Sequence, residues 1–281
     1  MKLIEKKNHS RIEDLIEEYA EKKQLTDSTL KNIKIALKPF SLDNQHNVRM
    51  VRDLLSGRYK QSTIKTKFGY IRSFFRWLAL LKKVDGIIDP TQDFSIKSTA
   101  VYRTRTLTDD EELRLLEHIS HISDLDVRLI IRLALFTGAR ISSICLLEKK
   151  SFHDGKIYYR NVKCKKAYDY PIPLKDCETI NLFKIASSLA DKDDKIFTKH
   201  SVSSYTAKVD RMLFDLFGRD CNGETISIHS LRHTFATKAL RKGVPPEIIA
   251  RLLDHSSPAI TLKVYARHSQ QQIEDAIDKI F

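Results

Sequence analysis

Eight glycines and seven prolines are all that punctuate 281 residues. With so few breakers, helix is the state that satisfies backbone hydrogen bonds over long stretches, and apolar residues recur at helical spacing along most of the chain. Ile12, Leu15, Ile16 and Tyr19 form one such stripe. Asp27 or Ser28 is placed to cap a second helix, which carries Leu30, Ile33 and Leu37 and stops near Pro39. A short helix over 51–55 ends at Gly57. A long one over 62–81 puts Ile64, Phe68, Ile71, Phe75, Leu78 and Leu81 on one side, and the aromatics Phe68, Phe74, Phe75 and Trp77 read as core.

Periodicity fades between Gly86 and Arg105, where Pro90 and a Ser/Thr cluster mark a linker, about residues 90–104 at its widest. Thr108-Asp-Asp-Glu111 then gives a cap-like start to a helix through Leu116. A buried helix over 127–136 closes at Thr137-Gly138, where glycine suits a left-handed cap, so Arg140 lies just beyond one helix and at the start of the next. Residues 152–174 change texture. Asp154-Gly155 reads as a turn and the spacing predicts short strands over 157–162 and 168–172, with Lys163, Lys165 and Lys166 in the connection after the first. Helices resume over 179–189, 202–217, 229–242 and 247–254, the last begun by Pro245 or Pro246. The fold class expected is mainly α (α+β): a helical domain over 1–92, a linker over 93–104, and a mostly helical domain over 105–281 with a small antiparallel β-sheet.

Charge narrows the partner. Lys and Arg number 49 against 36 Asp and Glu, a formal net charge of +13, which favours a polyanion. The excess is concentrated: from Arg49 to Lys83 there are ten basic residues and a single acid, Asp53. Arg49, Arg52, Arg58, Lys60, Lys65, Lys67, Arg72 and Arg76 are the candidate DNA contacts in that run, because phosphate binding needs a surface of one sign. Cys145, Cys164, Cys177 and Cys221 show no ligand-like spacing and read as reduced, mostly buried residues of an intracellular protein. No apolar stretch approaches the roughly 20 residues that span a bilayer, and residues 1–7 lack the apolar core of a signal peptide. A cytoplasmic protein with no membrane partner is expected.

The chemistry sits in four places: Thr137-Gly-Ala-Arg140, His229-Ser-Leu-Arg232-His233, Leu253-Asp-His255 and Tyr265. His229 and Arg232 are three apart and leave one helix face together. Metal binding by His229 and His233 is disfavoured, since the zinc-protease pattern would need glutamate where Ser230 stands. A Gly-x-Ser-x-Gly elbow and a P-loop are both missing from the sequence. Two arginines, two histidines and a tyrosine, with no carboxylate among them, suit an anionic phosphate. The constellation that remains is phosphoryl transfer with a tyrosine nucleophile, whose oxygen can form a covalent ester with phosphorus.

In their order and spacing these motifs resemble the signature of the tyrosine recombinases, the phage-integrase and Xer superfamily. The resemblance covers nearly the whole chain, with residues 105–281 similar to the catalytic domain and the basic helical region to a core-type DNA-binding domain. It implies that Arg140 and Arg232 clamp the scissile phosphate, that His229 and His255 bond its oxygens, and that Tyr265 is the nucleophile of a 3′-phosphotyrosyl bond. It implies Lys163 as general acid, with Lys165 and Lys166 as neighbouring alternatives; His233, beside the motif, reads as structural, packed under Arg232. The implied enzyme exchanges strands through a Holliday junction without metal or nucleotide cofactor. It works as a homo-tetramer on double-stranded DNA carrying inverted-repeat recombination sites, in a nucleoid-associated location. A tail helix over about 270–281 would dock on the neighbouring subunit. A type IB topoisomerase-like relaxing enzyme and a non-catalytic DNA-binding protein of the same fold are the alternatives. Two residues depart from the family pattern: Ser143 stands where an acid is usual, and Asp254 where glycine is common.

Overall fold

The computed structural model describes residues 2–56, 59–81, 83–96, 105–160, 171–190 and 193–254, with side chains from residue 12 onward. The chain divides into two compact units, Met1–Val101 and Tyr102–Phe281. Both are mainly α, and the second carries a small three-stranded antiparallel sheet.

The first unit comprises α1 (Lys2–Lys22), α2 (Asp27–Leu37), α3 (Asn44–Leu55) and α4 (Gln61–Leu80). Ile12, Ile16 and Tyr19 of α1 meet Ile33 and Leu37 of α2 on a core built from Ile64, Phe68, Ile71, Phe74, Phe75, Trp77 and Leu78 of α4. The aromatics are therefore core, as their spacing predicts. Helix ends differ from expectation in three places. Thr26 caps α2 instead of Asp27 or Ser28, its side chain accepting from the Thr29 amide. Helix α3 starts at Asn44, under an Asp43 cap, well before residue 51. Leu81, expected on the buried side, is exposed.

The stretch from Val84 to Ile96, part of which was expected as linker, packs on this unit. Ile87 is buried, and Val84, Phe94 and Ile96 lie against the same core. Arg72 holds the stretch in place, donating from Nε to Thr91 Oγ1 at 3.1 Å and from Nη2 to the Phe94 carbonyl at 3.4 Å. Arg76 pairs with Asp89 at 2.9 Å.

The second unit is built around α6 (Leu125–Thr137), whose Leu129, Ile130, Ile131, Leu133 and Ala134 are fully buried. Helices α8 (Cys177–Leu189), α9 (Val202–Phe217) and α10 (Ile228–Arg241) pack on it, preceded by α5 (Asp109–Ser120) and the single turn α7 (Ile141–Ile144) and followed by α11 (Pro246–Leu252). Helix α5 opens with a capping box between Thr108 and Glu111. A polar insertion in the core is fully partnered: Arg132, 5% exposed, bonds Asp176 at 2.8 Å and Glu178 at 2.8 Å. Asp176 also caps α8 through the Thr179 amide. Burial pushes the Asp176 carboxyl up, but the hydrogen bonds from Thr179 and Arg132 outweigh it and hold the group below its usual range.

The sheet is smaller than predicted within the described residues. Strand β1 (Phe152–His153) pairs with β2 (Lys156–Ile157), and β2 with β3 (Ile172–Pro173). Asp154 and Gly155 both have positive φ, +51° and +69°, which suits a tight hairpin turn. The strand ahead of that turn was not expected, and residues 161–170, with Lys163, Lys165 and Lys166, lie outside the described residues. Cys177 and Cys221 are exposed and Cys145 half-buried, against the expectation of mostly buried thiols; Cys164 is not among the described residues. No helix among the described residues is long and apolar enough to cross a membrane.

Candidate active site

The end of α6 sets the first piece. Gly138 has φ +65° and closes the helix by donating to the Ala134 carbonyl at 3.0 Å. A Cβ built there would lie 2.6 Å from the side chains of both Phe235 and Leu253, so any other residue would have to push these aside as well as adopt a strained φ. The buried Thr137 hydroxyl ties the turn together. It donates to the Leu133 carbonyl, bonds the Tyr159 hydroxyl at 3.0 Å and accepts from the Ala139 amide at 3.3 Å. Tyr159 is only 1% exposed and belongs to the support of this turn, a role that its place in the strand region did not signal.

Arg140 follows as the N-cap residue of α7, extended at φ −70° and ψ 141°. Its Nη2 donates to the Asp254 carbonyl at 2.9 Å and its Nη1 to Asp254 Oδ2 at 3.0 Å. Arg232, one turn into α10 and 5% exposed, donates from Nη1 to the Gly138 carbonyl at 2.7 Å and from Nη2 to the Leu253 carbonyl. The two guanidiniums are thus anchored on consecutive carbonyls, Leu253 and Asp254. That step is fixed from below by a small cluster of Ala236, Ile249 and Leu253, with Phe235, Ala239, Leu240 and Val244 packed against it.

His229 is the second residue of α10 and exposed, where the helix N-terminus favours anions. The start of that helix is held by Asp210, which accepts from the Ile228 amide at 2.7 Å. His233 is half-buried. Burial first, then the Arg232 and His229 charges, push it down to about 4, so it is neutral at pH 7 and suited to packing. Ser143, which departs from the acid usual in the family pattern, is buried just beyond Arg140, its amide bonding the Arg140 carbonyl at 2.9 Å.

The structure therefore brings Arg140, Arg232 and the start of α10 with His229 around one turn, and adds a carboxylate, Asp254, that the sequence reading left out of the cluster. His255 and Tyr265, and the tail over 270–281, lie outside the described residues, as do Lys163 and Arg58. Among the described residues no group of three or more His, Cys, Asp or Glu side chains is placed to hold a metal. In the first unit Arg49, Arg52, Lys60 and Lys65 are exposed, whereas Lys67 sits 3.9 Å over the Tyr59 ring. Arg72 is half-buried against the stretch from Val84 to Ile96, whereas Arg76 pairs with Asp89 and still keeps 59% of its side chain exposed.

Two results are expected. Gly138→Ala should destabilise the protein by about 1–3 kcal/mol, the range of overpacking and φ strain, in urea unfolding. A loss under a few tenths would show that Phe235 and Leu253 move aside freely. Second, His233 has an ordinary value of 6.5 and a folded value of about 4. Between these the unfolded chain takes a proton that the folded chain refuses, so stability falls as pH is lowered from about 6.5 towards 4. Replacing His233 with Gln should flatten the decline by at most about 1.4 kcal/mol per pH unit, one proton's worth. Parallel stability curves for the two proteins would contradict the half-buried, neutral histidine.

Comparison with known proteins places this arrangement. A tyrosine recombinase from Thermosipho africanus (strain TCF52B) is 26% identical over 230 residues, covering 81% of this chain and 79% of the relative. The fold is similar to that of a lambda integrase dimer bound to a COC′ core site, with TM-score 0.71, 18% identity, and 92% and 97% of the two chains covered. It is also similar to a lambda integrase tetramer bound to a Holliday junction, with TM-score 0.68, 17% identity, and 93% and 80% covered. The model of the phage integrase family matches residues 105–272, more than half of the chain. With the arginine pair, the first-turn histidine and the glycine-capped turn all inside that span, the chain belongs to the phage integrase family, the tyrosine recombinases.

Proposed function

We propose that the protein is a site-specific DNA recombinase that cleaves and rejoins duplex DNA through a 3′-phosphotyrosyl intermediate and a Holliday junction. Integration/excision or dimer resolution is the setting. The observation that carries this reading is the anchoring of Arg140 and Arg232 on the consecutive carbonyls of Leu253 and Asp254, one helical turn from His229. Paired guanidiniums of fixed position, beside a helix N-terminus, suit the two non-bridging oxygens of a phosphodiester, whose charge grows in an in-line displacement.

In the proposed reaction the Tyr265 hydroxyl passes its proton to a neighbouring imidazole as its oxygen attacks phosphorus, and the bond from phosphorus to the 5′ oxygen breaks. Lys163 gives the departing oxygen its proton, while His229 and His255 bond the phosphate oxygens. Rejoining reverses the step with a 5′ hydroxyl from the partner strand. The phosphotyrosyl ester conserves the bond energy, so neither metal nor nucleotide is required. The lambda integrase structures, a dimer on a core site and a tetramer on a Holliday junction, support a homo-tetramer on double-stranded DNA, and the proposed sites are inverted repeats. The exposed Arg49, Arg52, Lys60 and Lys65 are the proposed backbone contacts of the first unit, and the tail over 270–281 is the proposed link between subunits. Such a protein works in the cytoplasm on nucleoid DNA.

Duplexes selected for binding from a random pool, then nicked within the selected site, provide a substrate that traps covalent product. The wild-type chain should become attached to the 3′ end and yield recombinant joints, and Tyr265→Phe should bind normally but form no adduct. Adduct in the Phe variant at wild-type yield would remove Tyr265 from the role. Adduct and relaxation without joints would favour the topoisomerase-like activity, and no adduct from wild type would leave a DNA-binding protein.

A further inference from the structure

Asp254 does something that the phosphate clamp does not require. It stands at φ +50°, in the left-handed region where glycine and asparagine are at ease. Its carbonyl accepts from Arg140 Nη2 at 2.9 Å, a contact that any residue at this position would supply. Only the carboxylate is special to aspartate, and its Oδ2 lies 3.0 Å from Arg140 Nη1. A carboxylate and a phosphodiester offer the same guanidinium the same kind of anionic oxygen. The arginine that should receive the phosphate already has an anion on it.

Resting on the reading of Arg140 as a phosphate ligand, we propose that the Asp254 carboxylate is an internal stand-in for a phosphate oxygen, which neutralises Arg140 until a DNA phosphate displaces it. The geometry allows the exchange. The two side chains are 33% and 32% exposed, so the released carboxylate can regain water, while the carbonyl of the same residue keeps hold of Nη2. An ion pair this open is worth little, and it yields to a duplex that other basic residues already hold. It does not yield as readily to a lone phosphate, or to a backbone that touches the site before the protein has docked. The carboxylate thus makes engagement of the scissile phosphate depend on the rest of the interface.

Calorimetric titration of the full chain with inorganic phosphate tests this without any recombination site. Asp254→Asn and Asp254→Gly both suit the left-handed conformation, and urea midpoints near the wild-type value will verify their fold. Each should bind phosphate more tightly, by roughly fivefold, the scale of a partly exposed ion pair, and adding Arg140→Gln to Asp254→Asn should abolish the gain. Unchanged binding in both variants would overturn the proposal. Weaker binding would overturn it too, and would show instead that the carboxylate holds Arg140 in place. The titration needs no cleavage: wild-type protein that forms no covalent DNA adduct would count against the recombinase reading alone, and variants with no gain in phosphate affinity against this one alone.

Discussion

Arg140 and Arg232 carry like charges, and gathering them on one turn of backbone is opposed by their repulsion and by the loss of water around each guanidinium. Backbone carbonyls meet both difficulties. Gly138, Leu253 and Asp254 each present an oxygen to a guanidinium, so the buried Arg232 keeps its hydrogen bonds and neither arginine depends on a flexible partner. Other features of the second unit follow from delivering those three oxygens. The glycine cap of α6 turns the chain so that its carbonyl faces α10, and the apolar cluster of α10 and α11 fixes Leu253 beneath. The guanidiniums of a site prepared in this way need little reorganisation when an anion arrives and only the Asp254 carboxylate has to give way, and fixed donors are the condition under which charge stabilisation is strongest.

Much of this was legible in the sequence wherever a local rule decides the outcome. Gly138 was readable because a helix that stops in the left-handed conformation selects glycine, and Arg140 then has only one place to be. Helix α9 has the expected bounds, since its buried Tyr205, Val209 and Leu213 repeat at four-residue spacing. Helix α3 extends beyond its apolar stripe for an equally local reason. Its first turns bury Asn47, a polar residue that breaks the apolar stripe and is satisfied by the Ser41 amide and carbonyl.

What escaped was tertiary. A run of basic residues reads as one continuous binding face, yet within it Arg72 is half-buried on Thr91 and Phe94, while Arg76 is paired with Asp89 and still exposed. Asp254 reads as a mere departure from glycine, because its partner lies 114 residues away in the chain. Tyr159 looks like one strand tyrosine among several until its hydroxyl is found on Thr137, under the turn that carries Arg140. In each case the identity of the residue was informative and the missing quantity was a long-range distance.

Arg140 and Arg232 form one anion site, fixed before any ligand arrives. Side-chain nitrogen NMR of the full chain labelled at arginine, titrated with inorganic phosphate, tests it most directly. The Nε resonances of Arg140 and Arg232 should shift together with a single apparent Kd, while those of the exposed Arg49 and Arg52 stay nearly still at low occupancy. Shifts of only one of the pair, or of both with clearly different affinities, would show two separate cations and contradict the clamp.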